Sequence, residues 1–202
     1  MNAPRDFRAA AEEGEDALDE PPSTGGASPD EIAAALDVLR PAGAILLVWI
    51  DPMLKAREPE QIGARTFEMP RDRGAAAAWA AEHNDRRRNL YWTTNPTRRP
   101  MSKKAAKTDM AAGIMVWADA DPKVKELGDY SEARAELMNE LLPVVRQTAS
   151  IIIDSGNGLQ VFWRLTEPFT LPDGLDSYEA LNERMGAAFD GPSTFSDRKS
   201  VV

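Results

Sequence analysis

Two kinds of hydrophobic pattern alternate along this chain. Segments with the length and composition of β-strands occupy residues 44–50, 65–69, 89–94, 113–118, 150–154 and 159–165. Helical composition or apolar spacing marks residues 28–39, 72–82, 131–142 and 176–189. This order predicts a mixed α+β fold in which helices pack on a largely antiparallel sheet.

The predicted helix ends carry recognisable residues. Ser28, Pro29 and Glu31 have the spacing of a capping box with proline in the first helical turn, so the first helix is expected to begin there. Ser131 is the predicted N-cap of the third helix, and Pro143 is expected to kink that helix or to separate a second short helix from it.

Residues 1–27 differ in composition from the rest of the chain. They are acidic, rich in Pro, Gly and Ser, and poor in apolar side chains, so we expect a disordered tail before one domain at 28–202. Within residues 1–31, nine acidic residues against Arg5 and Arg8 account for −7 of the net charge of −9. The expected domain is therefore close to neutral, and the low overall pI says little against a nucleic-acid partner.

The composition excludes several kinds of site. The chain has no cysteine and a single histidine, His83, which rules out disulfides, cysteine-ligated zinc and multi-histidine metal centres. It contains neither an apolar run of about 18 residues nor an N-terminal signal pattern. We therefore expect a cytoplasmic protein with no membrane partner, whose chemistry uses oxygen ligands.

A predicted strand runs directly into two carboxylates, Asp119 and Asp121. Residues two apart on a strand point to the same side, so these carboxylates would lie close together. Such a pair is stabilised by a hard divalent cation such as Mg²⁺ or Mn²⁺ between the two charges. The alternative is a solvated turn, because aspartate is common beside proline and Pro122 follows.

A glycine-rich turn separates the last two predicted strands. Ser155-Gly156-Asn157-Gly158 would let a phosphate approach backbone N–H groups, with Ser155 and Gln160 as side-chain partners. Arg164 lies four residues beyond Gln160, hence on the same strand face, where its charge would neutralise a triphosphate. The alternative is a plain hairpin, because Asn-Gly is a strong hairpin signal by itself.

Basic residues cluster around the strand that contains Tyr91 and Trp92. Cations with interleaved aromatic residues suit a nucleic acid, although a solvated loop is an equal alternative. The cluster comprises Arg86, Arg87, Arg88, Arg98, Arg99, Lys103, Lys104 and Lys107. Near the end of the chain, Asp190 or Asp197 would supply a third carboxylate to the metal site.

Taken together, residues 44–202 resemble the catalytic domain of archaeo-eukaryotic-type primases, especially the primase-polymerases of phages and plasmids. The segment from Val116 to Pro122 is similar to the family's apolar strand ending in Asp-x-Asp. The segment from Ser155 to Trp163 is similar to its Ser-Gly-x-Gly-x-Gln-x-x-Trp form. Residues 89–92, followed by Lys103-Lys104 and Asp109, are similar to the stretch that precedes the Asp-x-Asp strand.

The resemblance implies an RRM-like catalytic core that synthesises or extends primers on template DNA from nucleoside triphosphates. It implies Mg²⁺ or Mn²⁺ bound by Asp119, Asp121 and Asp190, with Asp197 as the alternative third ligand. The nucleotide would be bound by Ser155, Gly156, Gly158, Gln160 and Arg164, and the template by Arg98, Arg99, Lys103, Lys104 and Lys107. The family's Leu-Pro-Gly-Thr element does not occur before Val202, so a missing C-terminal part is expected, as is a helicase that is either a partner or a fused domain.

Two other functions remain open at this point. One is a sugar-nucleotide transferase, which also uses Asp-x-Asp, although no doubly wound βαβ pattern occurs near the N-terminus. The other is a nucleic-acid-binding replication module that keeps the fold without catalysis. The position of the third acid relative to Asp119 and Asp121 distinguishes the second from an enzyme.

Overall fold

The computed structural model describes residues 27–54, 61–122, 129–156 and 158–189. Within these ranges the α-helices are α1 (Pro29–Leu39), α2 (Arg73–Asp85), α3 (Tyr130–Val145) and α4 (Leu175–Phe189), and a short 3₁₀ helix spans Lys107–Asp109. The strands are β1 (Gly43–Ile50), β2 (Ile62–Met69), β3 (Asn89–Trp92), β4 (Ala112–Ala120), β5 (Ile151–Asp154) and β6 (Leu159–Thr170). This order agrees with the predicted one, and the expected disordered tail lies outside the described residues.

The cap of α1 is confirmed, whereas the predicted cap of α3 is wrong. The Ser28 hydroxyl accepts from the Glu31 amide at 3.3 Å, and the Glu31 carboxylate accepts from the Ser28 amide at 2.7 Å. In α3 the capping residue is Asp129, whose Oδ1 accepts from the amides of Ser131 and Glu132. The helix thus begins one residue before Ser131, and it continues through Pro143 to Val145.

The described strands form two three-stranded sheets, ordered β2-β1-β3 and β4-β6-β5. Every strand pair in them is antiparallel. The α+β class with antiparallel pairing is therefore confirmed, and the strands are divided between two sheets. None of the helices in the described ranges combines the length and apolar character needed to cross a membrane.

The largest hydrophobic cluster joins one face of each sheet. It contains Leu46 and Val48 of β1 together with buried residues of β4, β6 and α3: Val116, Ala118, Ala120, Leu159, Val161, Leu137 and Val145. The other face of β1 packs with α1 and α2 through Leu36, Ile45, Leu47, Phe67, Ala76, Ala77 and Ala80. Because Ala118 and Ala120 point into the large cluster, strand alternation directs Asp119 to the opposite face.

Candidate functional site

The end of β4 lies beside the glycine-rich turn. Asp119 is the direct antiparallel partner of Gln160, and Ala120 is the partner of Leu159. Directly paired residues point to the same sheet face with Cβ atoms about 5 Å apart, so the Asp119 and Gln160 side chains are neighbours. Two segments that are separated by about 40 residues, as read from the strand bounds, thus meet at one end of this sheet.

Gly158 fixes how closely the turn approaches β4. A Cβ atom at Gly158 would lie 2.1 Å from the Ala120 carbonyl oxygen and 3.2 Å from the Asp121 Cα atom. Only glycine allows this backbone-to-backbone approach. The close packing against β4 therefore explains why glycine occurs at position 158, without any need for phosphate binding.

Among the described residues, side chains and not a further strand hydrogen-bond to the outer edge of β4. Asn95 Oδ1 accepts from the amides of Ile114 (2.8 Å) and Met115 (3.3 Å), and its Nδ2 donates to Tyr178 Oη at 2.7 Å. Tyr178 Oη donates to the Met115 carbonyl at 2.7 Å, and Asn182 Oδ1 accepts from the Trp117 amide at 2.9 Å.

Sequence reasoning missed these positioning residues. Tyr178 and Asn182 are four residues apart on α4 and share one helix face, which was the available signal. Burial raises the pKa of Tyr178, so its hydroxyl stays protonated and keeps donating to the strand. The polar edge of β4 is therefore satisfied by three side chains from other parts of the chain.

Helix α4 runs in the same direction as β4. Tyr178 is hydrogen-bonded to Met115, and Asn182, one helical turn further along α4, is hydrogen-bonded to Trp117, which is further along β4. Phe189 ends the helix about 10 Å beyond Asn182, and Ala120 lies about 10 Å beyond Trp117. The chain therefore leaves α4 at the end of β4 where Asp119 and Asp121 lie.

The sequence predicts a third acid, but neither candidate lies in the described part of the chain. Asp190 and Asp197, the two predicted candidates, both fall outside the described residues. Within the described residues, no group of three or more acidic or histidine side chains has the spacing of a metal site. Asp119 and Asp121, both half-buried, are thus the predicted ligands that the structure describes.

The turn between β5 and β6 uses its polar groups internally. The Ser155 hydroxyl accepts from the Gly158 amide at 3.1 Å and donates to the Gly158 carbonyl at 3.0 Å. The Gly156 amide, where φ is +79°, donates to Asp154 Oδ1 at 2.9 Å.

Asp154 also makes phosphate binding at this turn unfavourable. The Gly156 hydrogen bond, together with Arg134 Nη2 at 2.6 Å from Asp154 Oδ2, lowers the pKa of Asp154. The carboxylate therefore stays ionised and keeps accepting from the Gly156 amide, so that amide is not available to a phosphate. The described turn accordingly has the hydrogen bonding of a plain hairpin, and a nucleotide contact by Ser155, Gly156 or Gly158 stays a prediction.

Arg164 is not brought to the turn. It lies on the same face as Gln160 but about 13 Å further along β6, and its Nη2 donates to the Val38 carbonyl near the C-terminus of α1. The nearby guanidinium of Arg40 is buried, and its Nη2 donates to the Thr94 carbonyl at 2.6 Å. Burial and, to a smaller extent, Arg164 lower the pKa of Arg40 to about 10. These contacts give Arg164 a structural role at the end of α1.

The structure separates the predicted basic cluster into paired and unpaired cations. Arg98 Nε donates to the Met110 carbonyl at 2.9 Å, Arg99 lies 4.0 Å from Asp109, and Lys107 pairs with Glu179. Within the described residues no carboxylate pairs with Lys103 or Lys104. Arg86 pairs with Glu82, and Arg88 stacks on Trp49 with its Cζ 3.8 Å from the ring centroid.

Lys104 lies near an exposed aromatic residue of β3. It lines a shallow depression with Tyr91, whose side chain is 45% exposed, and with Val48, Ile50 and Ala105. Partial burial lowers the pKa of Lys104. A cation beside an exposed ring is a feature of surfaces that bind single-stranded nucleic acid.

The described site thus consists of two carboxylates at a strand end, a glutamine opposite the first, and a helix that ends beside them. Such carboxylates provide oxygen ligands for Mg²⁺ or Mn²⁺, with substrate phosphates completing the coordination. In comparisons with protein-family models, with curated proteins and with solved structures, this chain has no significant match.

Proposed function

We propose that this chain is a metal-dependent nucleotidyltransferase of the primase-polymerase type, which adds nucleotides to a primer on template DNA. The observation that supports this most is the register of β4 and β6, in which Asp119 is paired with Gln160. That register joins the Asp-x-Asp strand to the Ser-Gly-x-Gly-x-Gln segment on one sheet face. The two segments on which the family resemblance rests are therefore neighbours in space.

In this proposal the protein supplies positioning and charge. Asp119 and Asp121 bind Mg²⁺ or Mn²⁺, and a third carboxylate comes from Asp190 or, alternatively, Asp197. When bound by these carboxylates, the ions would supply positive charge that lowers the pKa of the attacking 3′-hydroxyl and stabilises the triphosphate and the leaving pyrophosphate. The protein forms no covalent intermediate.

The nucleotide contacts in this proposal centre on Gln160. The Gly156 and Gly158 amides already donate to Asp154 and Ser155, whereas Gln160 lies beside Asp119. An amide side chain next to the metal ligands is suited to donate to a phosphate or sugar oxygen. Lys103 and Lys104 are then the most suitable contacts for the template, because no described acid neutralises them.

A second candidate is a nucleic-acid-binding module of the same fold without catalysis. It is favoured by one observation: the described residues contain no third acid grouped with Asp119 and Asp121. In that case Lys103, Lys104 and Tyr91 would bind single-stranded DNA, and Asp119 and Asp121 would have only a structural role at the end of β4.

The test is incorporation of labelled nucleotide by the full chain on single-stranded and primed DNA with Mg²⁺ or Mn²⁺. Asp119→Asn and Asp121→Asn are each expected to reduce incorporation to the metal-free level, because each removes a charged metal ligand. Asp173→Asn is the matched control, since Asp173 is exposed in the turn before α4. Asp190→Asn and Asp197→Asn, assayed side by side, identify the third ligand.

The outcomes distinguish the two candidates. Wild-type incorporation by Asp119→Asn or Asp121→Asn would refute the metal mechanism. DNA binding without incorporation by the wild-type chain under either metal would favour the binding module. An unchanged KM for nucleotide in Gln160→Ala would remove Gln160 from the site while leaving the metal mechanism standing.

A further inference from the structure

A small cavity lies against the outer edge of β4, two residues before Asp119. Its volume is about 130 Å³, and Met110, Leu171 and Leu175 form an apolar lining beside Trp117. A protein cavity of about 150 Å³ is known to bind benzene. The cavity therefore has room for one six-membered ring, and the half-buried indole of Trp117 offers that ring an aromatic neighbour.

Two polar side chains at the cavity are available to a ligand. Asn182 uses its Oδ1 to accept from the Trp117 amide, while its Nδ2 donates to no partner within the described residues. The Glu183 carboxylate is exposed and also has no partner in that part of the chain. Both side chains line the cavity, so its wall presents an amide donor and a charged acceptor.

The charge of the cavity wall is negative. Lys107 and Glu179 also line it, and they neutralise each other as an ion pair. Glu183 then leaves one uncompensated negative charge. Such a wall favours a ring that donates from an amino group and accepts at a neighbouring oxygen or nitrogen, and it disfavours an anionic ring.

These features match the amino-bearing edge of a nucleobase. Cytosine presents an amino donor, N4, beside a ring-nitrogen acceptor on a single six-membered ring, whereas the corresponding position of thymine or uracil carries an acceptor oxygen, O4. A purine presents comparable groups on a larger bicyclic ring. The size of the cavity and the carboxylate of Glu183 together favour cytosine.

The position of the cavity relates it to the metal ligands. Trp117 and Asp119 lie on the same side of β4, with their Cα atoms about 6.6 Å apart. A sugar separates a base from its phosphates, so a base beside Trp117 would leave its phosphates near Asp119 and Asp121. A base whose amino edge is bound by Glu183 is not free to pair with a template base at the same time.

We propose that this cavity binds the cytosine base of a nucleotide that the protein itself selects, as the first nucleotide of a primer. The assignment of the phosphates to Asp119 and Asp121 rests on the proposed function, whereas binding of the base depends on the cavity alone. Selection of the starting nucleotide by the protein is then separate from template-directed extension.

The experiment measures binding of tritiated cytidine and uridine to the full chain by equilibrium dialysis without metal. Cytidine is expected to bind at least about tenfold more tightly than uridine, because a hydrogen bond to a charged group is worth about one factor of ten or more. Glu183→Gln should weaken cytidine binding about tenfold and remove the preference. Leu175→Phe, which fills the cavity, should abolish binding of both nucleosides.

Control variants make the result specific. Glu136→Gln changes an exposed glutamate on α3 and should bind cytidine like the wild type. Asp119→Asn should also bind cytidine normally while losing nucleotide incorporation. Absence of cytidine binding to the wild type, or unchanged binding in both Glu183→Gln and Leu175→Phe, would overturn the inference.

The outcomes also separate this inference from the proposed function. Metal-dependent incorporation without cytidine binding would overturn the cavity assignment and leave the proposed function standing. Cytidine binding that follows the expected variants, without any incorporation, would support the cavity as a nucleoside site and count against the nucleotidyltransferase.

Discussion

Replacement of Gly158 by alanine tests the contact on which the candidate site depends. Gly158 lies where the β5–β6 turn meets the end of β4, next to Ala120 and Asp121. The added Cβ atom would lie 2.1 Å from the Ala120 carbonyl oxygen and 3.1 Å from its carbonyl carbon. Ordinary contacts of a Cβ atom begin at 3.4 Å, so the two backbones must separate by more than about 1 Å.

The loss of unfolding free energy in Gly158→Ala is expected at the upper end of the range measured for overpacked cores. Inserted methyl groups in packed regions cost about 1–3 kcal/mol, and here the neighbours are backbone atoms that no side-chain rotation can move. We therefore expect Gly158→Ala to lose about 3 kcal/mol of the free energy of unfolding. A shift of about 1 Å at Asp119 should also reduce nucleotide incorporation about 100-fold.

The assay is urea unfolding followed by tryptophan fluorescence, combined with the incorporation assay. Gly74→Ala is the control, because Gly74 lies in α2 and its added Cβ atom would meet nothing within 4 Å. Alanine there should leave stability unchanged or raise it by up to about 1 kcal/mol. If Gly158→Ala unfolded at the wild-type urea concentration, the close approach of the turn to Ala120 would be refuted.

Three further predictions concern stability, pH and nucleic-acid binding. Asn95→Leu removes the acceptor for the amides of Ile114 and Met115. Each buried amide that is left without a partner costs about 1–3 kcal/mol, so the urea midpoint should fall clearly. An unchanged midpoint would mean that water replaces Asn95. Burial and the neighbouring Arg88 lower the pKa of His83, so the folded chain binds a proton there less readily than the unfolded chain. The stability that comes from neutral His83 is complete above the unfolded pKa of about 6.5 and is lost as the pH falls toward the folded pKa. From pH 7 through 6 to 5, the urea midpoint should therefore fall less in His83→Gln than in the wild type. Parallel pH curves for the two proteins would contradict this. Replacing Lys103 and Lys104 together by glutamine should reduce the slope of log affinity for single-stranded DNA against log salt by about 1.4, whereas Arg86→Gln, which removes a cation paired with Glu82, should not; an equal slope in both variants would assign the two lysines to solvent.

The elements of the fold could be predicted because their signals are local. The capping box at Ser28 and Glu31 and the apolar run at residues 44–50 depend on neighbours within one turn or one strand. The one wrong helix cap follows from the same locality. Asp129 and Ser131 are both good capping residues, and the choice between them depends on where the chain enters α3.

The site could be predicted only in part. The Asp-x-Asp strand and the glycine-rich turn are visible as motifs, whereas their meeting through the pairing of Asp119 with Gln160 is seen in the structure. The partners of Arg164 and Lys107 could not be predicted, because they are distant in sequence. Arg164 donates to the Val38 carbonyl, and Lys107 forms an ion pair with Glu179. The same holds for Asn95, whose bonds to Ile114, Met115 and Tyr178 have no local signal.

The sequence by itself determined which segments are helices and strands and which residues are chemically able to bind a cation. These properties follow from side-chain periodicity, capping and composition, which act over a few residues. Only the tertiary structure decided that the strands divide into two sheets, that α4 closes the outer edge of β4, and that the turn amides are already hydrogen-bonded. Those outcomes depend on which distant surfaces bury each other and satisfy each other's polar groups, and no short stretch of sequence contains that information.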